Sequence, residues 1–468
     1  MQLKLRLPLR HTAFGFIATA LVAFAGVAHG ADEGDDPPAE EGTTSEPEAK
    51  DAGVAEPEAE EEEEAESDKD KDKDKEETDE GDGETKKPAK KSAASAASKD
   101  SIHASAATEA SFYYDNDHTA VLSPTIAGTV LDPVAGWSVK ARYLADIVSS
   151  ASVDIVSTAS KRWNEVRHAG SLDLAYKPGV FGVGATGSFS SEPDYLSLVG
   201  GITGTYEFDE KNRSVLLGFV HGEDTIGRHF TPFSAFSRHL ARNALNGAYT
   251  IVVNRETLVV LVGDAIYERG DQSKPYRYVP MFAAGTGDAV PAGASVDAVN
   301  AARLSEKPLE QLPLSRDRYA FTIRLLHRFS NATARISERL YADSWGVKAS
   351  TTDARYIVDA GARFQLWPHL RFHTQTPAVF WKRAYEVAYD RTGAWSFPAL
   401  RTGDRELSPV TAVTVGGGFR WALGSDSTPD DWALTFAADG TWTHFYDALF
   451  ITDRLSVLTT LGIEAVLR

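Results

Sequence analysis

From Glu109 to the C-terminus, apolar side chains return at every second position over stretches of about ten to thirteen residues. Between Arg355 and Leu366 one face would carry Tyr356, Val358, Ala360, Ala362, Phe364 and Leu366, and the other Arg355, Ile357, Asp359, Gly361, Arg363 and Gln365. A period of two sorts apolar from polar here, and a helical period does not. His369 to Phe380 repeats the pattern, and Trp432, Leu434, Phe436, Ala438 and Trp442 repeat it opposite Thr435, Asp439, Thr441 and Thr443.

Read along the chain, the alternation predicts strands at Ala110–Asp115, Thr119–Leu131, Trp137–Ile147, Ala169–Tyr176, Phe181–Ser190, Leu196–Phe208, Ser214–His221 and Leu245–Val253. A second half follows at Thr257–Tyr267, Arg318–Phe329, Thr333–Asp343, Arg355–Leu366, His369–Trp381, Pro409–Trp421, Trp432–Phe445 and Arg454–Leu467. Short connections such as Lys177-Pro178-Gly179, Glu210-Lys211-Asn212, Arg255-Glu256, Ser330-Asn331, Trp367-Pro368 and Gly424 to Asp431 fall at every second junction. Long ones, Val148 to His168, Gly222 to Ala244, Glu268 to Asp317 and Lys382 to Ser408, fall between them. That parity predicts an all-β fold, an antiparallel transmembrane β-barrel of about sixteen strands, fourteen being the alternative count, with short turns and both termini on the periplasmic side. The longest loop, Glu268 to Asp317, has two placements open to it: folded inward as a constriction, or laid over the mouth as a cap.

Hydrophobic residues make up 42% of the chain, with 37 glycines. This suits a soluble all-β sandwich as well as a barrel, so strand length and loop parity carry the distinction. The N-terminus adds the compartment. Lys4, Arg6 and Arg10 precede an apolar stretch from Ala13 to Val27 and a small-residue site at Ala28-His29-Gly30, the layout of a secretory signal peptide over residues 1–30. The apolar stretch is shorter than the roughly 20 residues a spanning helix needs. Cysteine is absent, which excludes a cysteine-linked lipid anchor and any disulfide.

Residues 31–105 are rich in Glu, Asp, Lys, Ala and Pro and have nothing to bury, so they are expected to be disordered. Residues 31 to 100 hold 28 acids and 10 lysines in a chain whose formal net charge is −19. The acidity is thus a property of this linker, expected to be a solvated periplasmic spacer, and the barrel at 109–468 is close to neutral. Phe112, Tyr113, Tyr114, Trp137, Tyr206, Phe208, Trp367, Trp381, Trp421, Trp432, Phe445 and Tyr446 gather towards strand ends, as interfacial girdles do.

Several short segments carry a family resemblance. They are Asp146 to Ser152, Ser190 to Ser197 (Ser-Ser-Glu-Pro-Asp-Tyr-Leu-Ser), Lys274-Pro275-Tyr276-Arg277, Arg316-Asp317-Arg318-Tyr319, Tyr341 to Gly346, His373-Thr374-Gln375 and Asp404-Arg405-Glu406-Leu407. In this order, from about Glu109 to the end, the chain resembles the bacterial domain-of-unknown-function 3570 family. The resemblance implies an outer-membrane-type barrel and carries over no catalytic or binding residue. It also implies a setting among envelope redox proteins, hence an envelope or periplasmic redox partner.

If the apolar faces meet lipid, the opposite faces line a lumen with Lys140, Arg142, Arg324, Arg328, Arg335, Arg339, Arg355, Asp359, Arg363, Arg371 and Arg420, interspersed with Asp146, Asp173, Asp343, Asp439 and Glu464. A basic stripe would concentrate anions in a water-filled pore; an ion-pair network that braces or closes the barrel is the competing reading. Glu338 falls on the outward face and breaks the pattern, marking an interface position or a bulge. His221, Glu223, Asp224, His229 and His239 are metal-capable but lack a ligand spacing. Asp146, Ser149, Ser150, Ser152, Asp154, His168, His221 and Asp224 could meet at an outer rim, as in barrel enzymes, yet no nucleophile or zinc motif accompanies them. Gly200-Gly201 and Gly416-Gly417-Gly418 lie within strands, where they allow bending or close packing.

The leading expectation is an outer-membrane pore or transport channel for small solutes, anionic ones in particular. A structural barrel of an envelope complex, binding partners through its loops or tail, is the alternative, and a rim-located enzyme the third. No catalytic residue, metal or cofactor is assigned. The expected partners are outer-membrane lipid, the outer-membrane barrel assembly machinery and the envelope redox partner; no nucleic-acid patch is present.

Overall fold

In the computed structural model, residues 102–149, 165–228, 230–389, 391–424 and 431–467 are described. The signal peptide and almost all of the acidic linker lie outside them, as do Ser150, Ser152, Asp154 and His229.

Sixteen long strands close into one antiparallel barrel. The first nine are β1 (His103–Asp115), β2 (Ala120–Asp132), β3 (Trp137–Val148), β4 (Glu165–Tyr176), β5 (Phe181–Glu192), β6 (Tyr195–Phe208), β7 (Arg213–Ile226), β8 (Arg238–Val252) and β9 (Thr257–Gly270). A short strand β10 (Met281–Phe282) and a helix α1 (Val296–Ala302) interrupt the series before β11 (Ser315–Arg328), β12 (Ala332–Asp343), β13 (Lys348–Asp359) and β14 (Phe364–Gln375). Three more short strands, β15 (Tyr385–Glu386), β16 (Ala388–Tyr389) and β17 (Trp395–Ser396), precede β18 (Val410–Ala422), β19 (Trp432–Phe445) and β20 (Asp453–Leu467). β20 returns to pair with β1 from Ala104↔Leu467 to Asp115↔Ser456, so no edge is left unpaired.

Several boundaries differ from the alternation: β4, β7 and β8 run four to seven residues further towards the long loops than predicted, and β14 stops at Gln375, short of Trp381. β1 starts at His103, because the stretch up to Glu109 is small and polar and shows little pattern, although it pairs on both sides. The predicted strand Arg355–Leu366 is in fact two strands joined by a hairpin at 360–363, where Gly361 adopts φ +94°. That conformation is open to glycine at no steric cost, so the chain reverses there and not at Trp367-Pro368. Pro368 instead sits inside β14, and the β13–β14 ladder skips it, with pairs at Arg355↔His369 and Val358↔Leu366 and none between. Pro124 leaves the same gap in the β2–β3 ladder, as a residue without an N–H must.

One face of the wall is a belt of exposed Leu, Ile, Val and aromatic side chains, including Tyr319, Phe321, Ile323 and Leu325 along β11. Neighbouring rings end the belt on the short-turn side: Tyr206, Phe208 and Tyr249 stack at 5.9 and 6.3 Å, Phe364 stacks on Phe419 at 5.6 Å, and Phe436 lies tilted against Phe419 at 5.8 Å. Four aromatics assigned to the girdles lie elsewhere: Tyr113 faces inward and donates to Asp115 at 2.9 Å, and Phe445 is buried beneath Arg405 and Arg454. Trp367 is on the inner face above Gly418, and Trp381 is in the loop after β14, donating to Asp404 O at 3.1 Å. Glu338 sits at mid-strand on the lipid side, neither at an interface nor in a bulge, since the β12–β13 register runs unbroken through Glu338↔Thr352. Its carboxylate accepts hydrogen bonds from Ser350 Oγ and Thr352 Oγ1, both at 2.5 Å.

At the end with the long loops, 271–314 and 376–409 fold together into a cap with its own apolar core. Val279, Met281, Tyr385 and Val387 form one cluster and Phe282, Val290, Ala294 and Val299 another, stitched by the parallel pairing of β10 with β15. Buried Arg277 lies 3.1 Å from both Glu310 and Asp404. The 271–314 loop leaves the wall between β9 and β11. It nevertheless reaches hairpins in both directions around the ring, through Tyr276 Oη to Asp194 Oδ2 (2.5 Å) and Gly293 N to Ala448 O (3.0 Å). The longest loop therefore lies across the mouth as a cap. The turn 405–407 of the other loop enters the mouth: Arg405 pairs with Asp117 at 2.9 Å, and Glu406 with Arg454 on the inner face of β20 at 3.2 Å.

Candidate functional site: the charged lumen

Strand parity decides which side chains share the lumen, and on the concave side of the wall side chains can reach across an intervening strand. Arg339 of β12 reaches Asp264 of β9 at 3.0 Å, past β11, and Arg242 of β8 reaches Ser197 of β6 at 3.1 Å, past β7. The same parity places Lys140, Arg142, Arg324, Arg328, Arg335, Asp359, Arg355, Arg371 and Arg420 on the inner face. Arg363 does not join them. It belongs to the hairpin 360–363, because the turn that the sequence suggested at Trp367 occurs at Gly361.

The inner wall is uneven around its circumference. On β5 to β7 it presents Gly182, Gly184, Thr186, Ser188, Gly201, Thr203, Gly218 and Gly222, which occupy little space. The arc β11 to β14, separated from this stretch by β8 and β9, carries six of the arginines. Lys140 stands across from Asp173, which accepts from Thr186 Oγ1 at 2.7 Å, and Arg142 across from Ser171.

The basic residues divide by partner. Arg328 is paired with Asp359, which also accepts from Gln365 Nε2 at 2.8 Å. Arg339 is paired with Asp264, and Arg420 lies 3.6 Å from Glu464. Asp343 is drawn to the rim by Arg316 at 2.5 Å and caps the hairpin amides of Trp345 and Val347 at 3.0 and 2.9 Å. These groups brace the wall. Among the described residues, Arg355 and Arg371 make no ion pair within hydrogen-bonding reach, and Arg371 is exposed to the lumen.

At mid-height a buried histidine joins three strands. His369 on β14 places Nε2 2.9 Å from Asp353 Oδ2 on β13 and Nδ1 2.8 Å from Asp439 Oδ1 on β19. Asp439 can reach it only by crossing β18 at Gly416, where a Cβ would stand 2.0 Å from Asp439 Oδ1 and 2.3 Å from Ala438 O. At Gly418 a Cβ would meet the Trp367 ring at 2.8 Å. The three glycines thus serve close approach. The sequence signals for this network were a histidine with an aspartate in the preceding strand, and a glycine run in the strand before a second aspartate; the strand pairing, which sets Asp353 diagonally from His369, had to be known to combine them.

Among the described residues, the rim candidates do not converge. His168 faces outward with Nδ1 2.7 Å from Tyr143 Oη, while Asp146 faces inward, paired with Arg167. His221 lies outward against Glu223 at 3.2 Å, and Asp224 inward against Arg242 at 2.7 Å. Carboxylate oxygens of Glu165, Glu192 and Asp194 come within 4.8 Å of one another at the same end, and Arg167 and Tyr276 engage this group.

A closed antiparallel barrel with an apolar outer belt, aromatic ends and a charged lumen is an outer-membrane-type β-barrel. The family model described as "Protein of unknown function (DUF3570)" matches residues 125–430, and the chain belongs to that family. No curated protein matches it in sequence. Among solved structures it is similar to the siderophore receptor PirA from Acinetobacter baumannii, at 12% identity and TM-score 0.38 over 74% of this chain and 53% of that one. It is also similar to the outer membrane protein OprD from Pseudomonas aeruginosa, at 8% identity and TM-score 0.37 over 79% of this chain and 94% of that one. The chain spans about half the length of the siderophore receptor. Likeness of this degree carries no argument, and the fold rests on the chain's own closed sheet.

Proposed function

We propose that the protein is an outer-membrane channel for small anionic solutes, with the acidic N-terminal segment as its periplasmic spacer. The observation that carries this reading is the uneven cross-section of the lumen: arginines gathered on β11 to β14, and an arc of glycine, serine and threonine on β5 to β7 that takes up little of the bore. A barrel of sixteen strands is wide enough for an aqueous path, and a basic arc along such a path raises the local concentration of anions. The cap across the mouth makes passage depend on its position.

The test is conductance of the refolded protein in a planar bilayer under a salt gradient. Stable steps with an anion-biased reversal potential support the channel. Insertion without conductance, both with the cap intact and after it is loosened, overturns it. One observation favours a second reading, a closed scaffold barrel: the cap has its own core and buried ion pairs, and offers a firm surface for a partner.

A further inference from the structure

We propose that Arg454, on the inner face of β20 at the mouth, is a recognition site for a small carboxylate solute, and that Glu406 is a built-in ligand which the solute displaces. The turn that carries Glu406 is held without help from its carboxylate. Gln375 Nε2 donates to the carbonyl oxygens of Glu406 and Ser408 at 2.6 and 3.0 Å, and Glu406 N donates to Asp404 Oδ1 at 2.9 Å. Arg405 pins the same turn to Asp117 at 2.9 Å, and both of these side chains are buried. Arg454 is likewise set by the wall, its guanidinium 5.5 Å from the centre of the fully buried Phe445 ring. The neighbouring carboxylate on β1, Asp115, is engaged elsewhere: it accepts from Tyr113 Oη at 2.9 Å and from the amides of Asp117 and Thr119 at 3.0 and 2.9 Å.

Between these two fixed points Glu406 reaches Arg454 at 3.2 Å with its own side chain 52% exposed. An ion pair in that much solvent is weak and screened by salt, so exchange of one carboxylate for another is easy. The present contact also leaves donor capacity unused, since it is made from Nη1 and the Arg454 Nε has no hydrogen-bond partner. A carboxylate that is not tethered to the turn can meet two N–H groups of the fork at once. Deeper on the same route, His373 lies within electrostatic reach of both Glu406 and Arg371, and Arg371 is exposed to the lumen. A solute released from Arg454 therefore meets Arg371 next. The site deepens the channel reading by naming the solute class, and rests on that reading only for passage beyond the mouth.

The experiment is calorimetric titration of the purified full-length protein in detergent with succinate, at constant ionic strength in chloride, on the wild type, Glu406→Gln and Arg454→Gln. The two variants break one ion pair and should act in opposite directions. Glu406→Gln removes the competitor and should tighten succinate binding by up to about fivefold, the factor an exposed pair is worth. Arg454→Gln should weaken it about tenfold or more, since hydrogen bonds to charged groups are worth about that. Arg454→Lys, which keeps the charge and loses the fork, should fall between, and serves where the glutamine variant does not fold. A pair that only braces the mouth would lower the heat-conversion temperature alike in both variants and leave affinity unchanged, which overturns the site. Absence of saturable binding in folded Glu406→Gln overturns it too, and inorganic phosphate binding that variant more tightly than succinate overturns the carboxylate assignment. Anion-selective conductance without succinate binding would sink the site and leave the channel; the opposite shifts in affinity in a barrel that never conducts would do the reverse.

Discussion

Gly416 shows how one missing side chain shapes the lumen. Its Cα hydrogen lies where Asp439 crosses β18 to reach His369, so Gly416→Ala forces either the carboxylate or the strand to move. Overpacking of this kind costs about 1–3 kcal/mol. The temperature at which the folded band converts on an unheated-versus-heated gel should fall, whereas Gly187→Ala, with nothing within 4 Å of its Cβ, should leave it unchanged. Glu338 poses the complementary question on the lipid side. Its two hydroxyl donors make a mid-belt carboxylate tolerable, because an acceptor in hydrocarbon has no water to turn to. Replacing both Ser350 and Thr352 by alanine should lower stability in vesicles by on the order of 2 kcal/mol, read by urea unfolding, and Glu338→Leu in that double variant should recover most of the loss.

At the scale of elements, the strands were legible where one face meets lipid, since the period of two is then enforced by the solvent on each side. The pattern failed between Arg355 and Leu366 because the apolar positions keep their alternation straight through the hairpin at 360–363, and only the φ of Gly361 reveals the reversal. The cap was illegible for a related reason: its core draws on two loops far apart in sequence, and short segments such as Met281–Phe282 carry no period. Within it, Glu386 Oε1 and Oε2 accept from the backbone N–H groups of Gly287 and Gly285 at 2.7 and 3.0 Å, which hold its pKa below the ordinary value of 4.5. A lowered carboxylate pKa contributes stability that is present above 4.5 and is lost as pH falls through the lower folded value. Acidification below that range should therefore loosen the 285–287 turn, seen as faster cleavage of the 271–314 loop by an acid-active protease. Glu386→Gln should remove that pH dependence. Burial pushes Tyr385 up to about 12, so it stays neutral throughout and does not compete with this signal.

For the whole molecule, the question is whether the lumen is a path or a strut, and the arginines divide in a way that lets the two be separated. Arg339 holds Asp264, whose side chain is almost buried, so Arg339→Gln strands a carboxylate and should cost on the order of 2 kcal/mol after allowing for solvent on the guanidinium. The same change does little to the field in the lumen, because the pair was already neutral. Arg371 is exposed to the lumen without an ion pair, so Arg371→Gln removes uncompensated charge and should cost little stability. A conducting path therefore predicts opposite signatures: Arg371→Gln shifts the reversal potential towards zero with the heat-conversion temperature unchanged, and Arg339→Gln lowers that temperature with selectivity kept. The cap sets the background against which both are read. Arg277→Met leaves buried Glu310, and the half-buried Asp404 beside it, without their shared cation, at a cost of about 3 kcal/mol, and should raise the open fraction of the channel. If Arg277→Met inserts, loosens the cap by proteolysis and still passes no current, the lumen is a strut, and the function lies in what the cap holds.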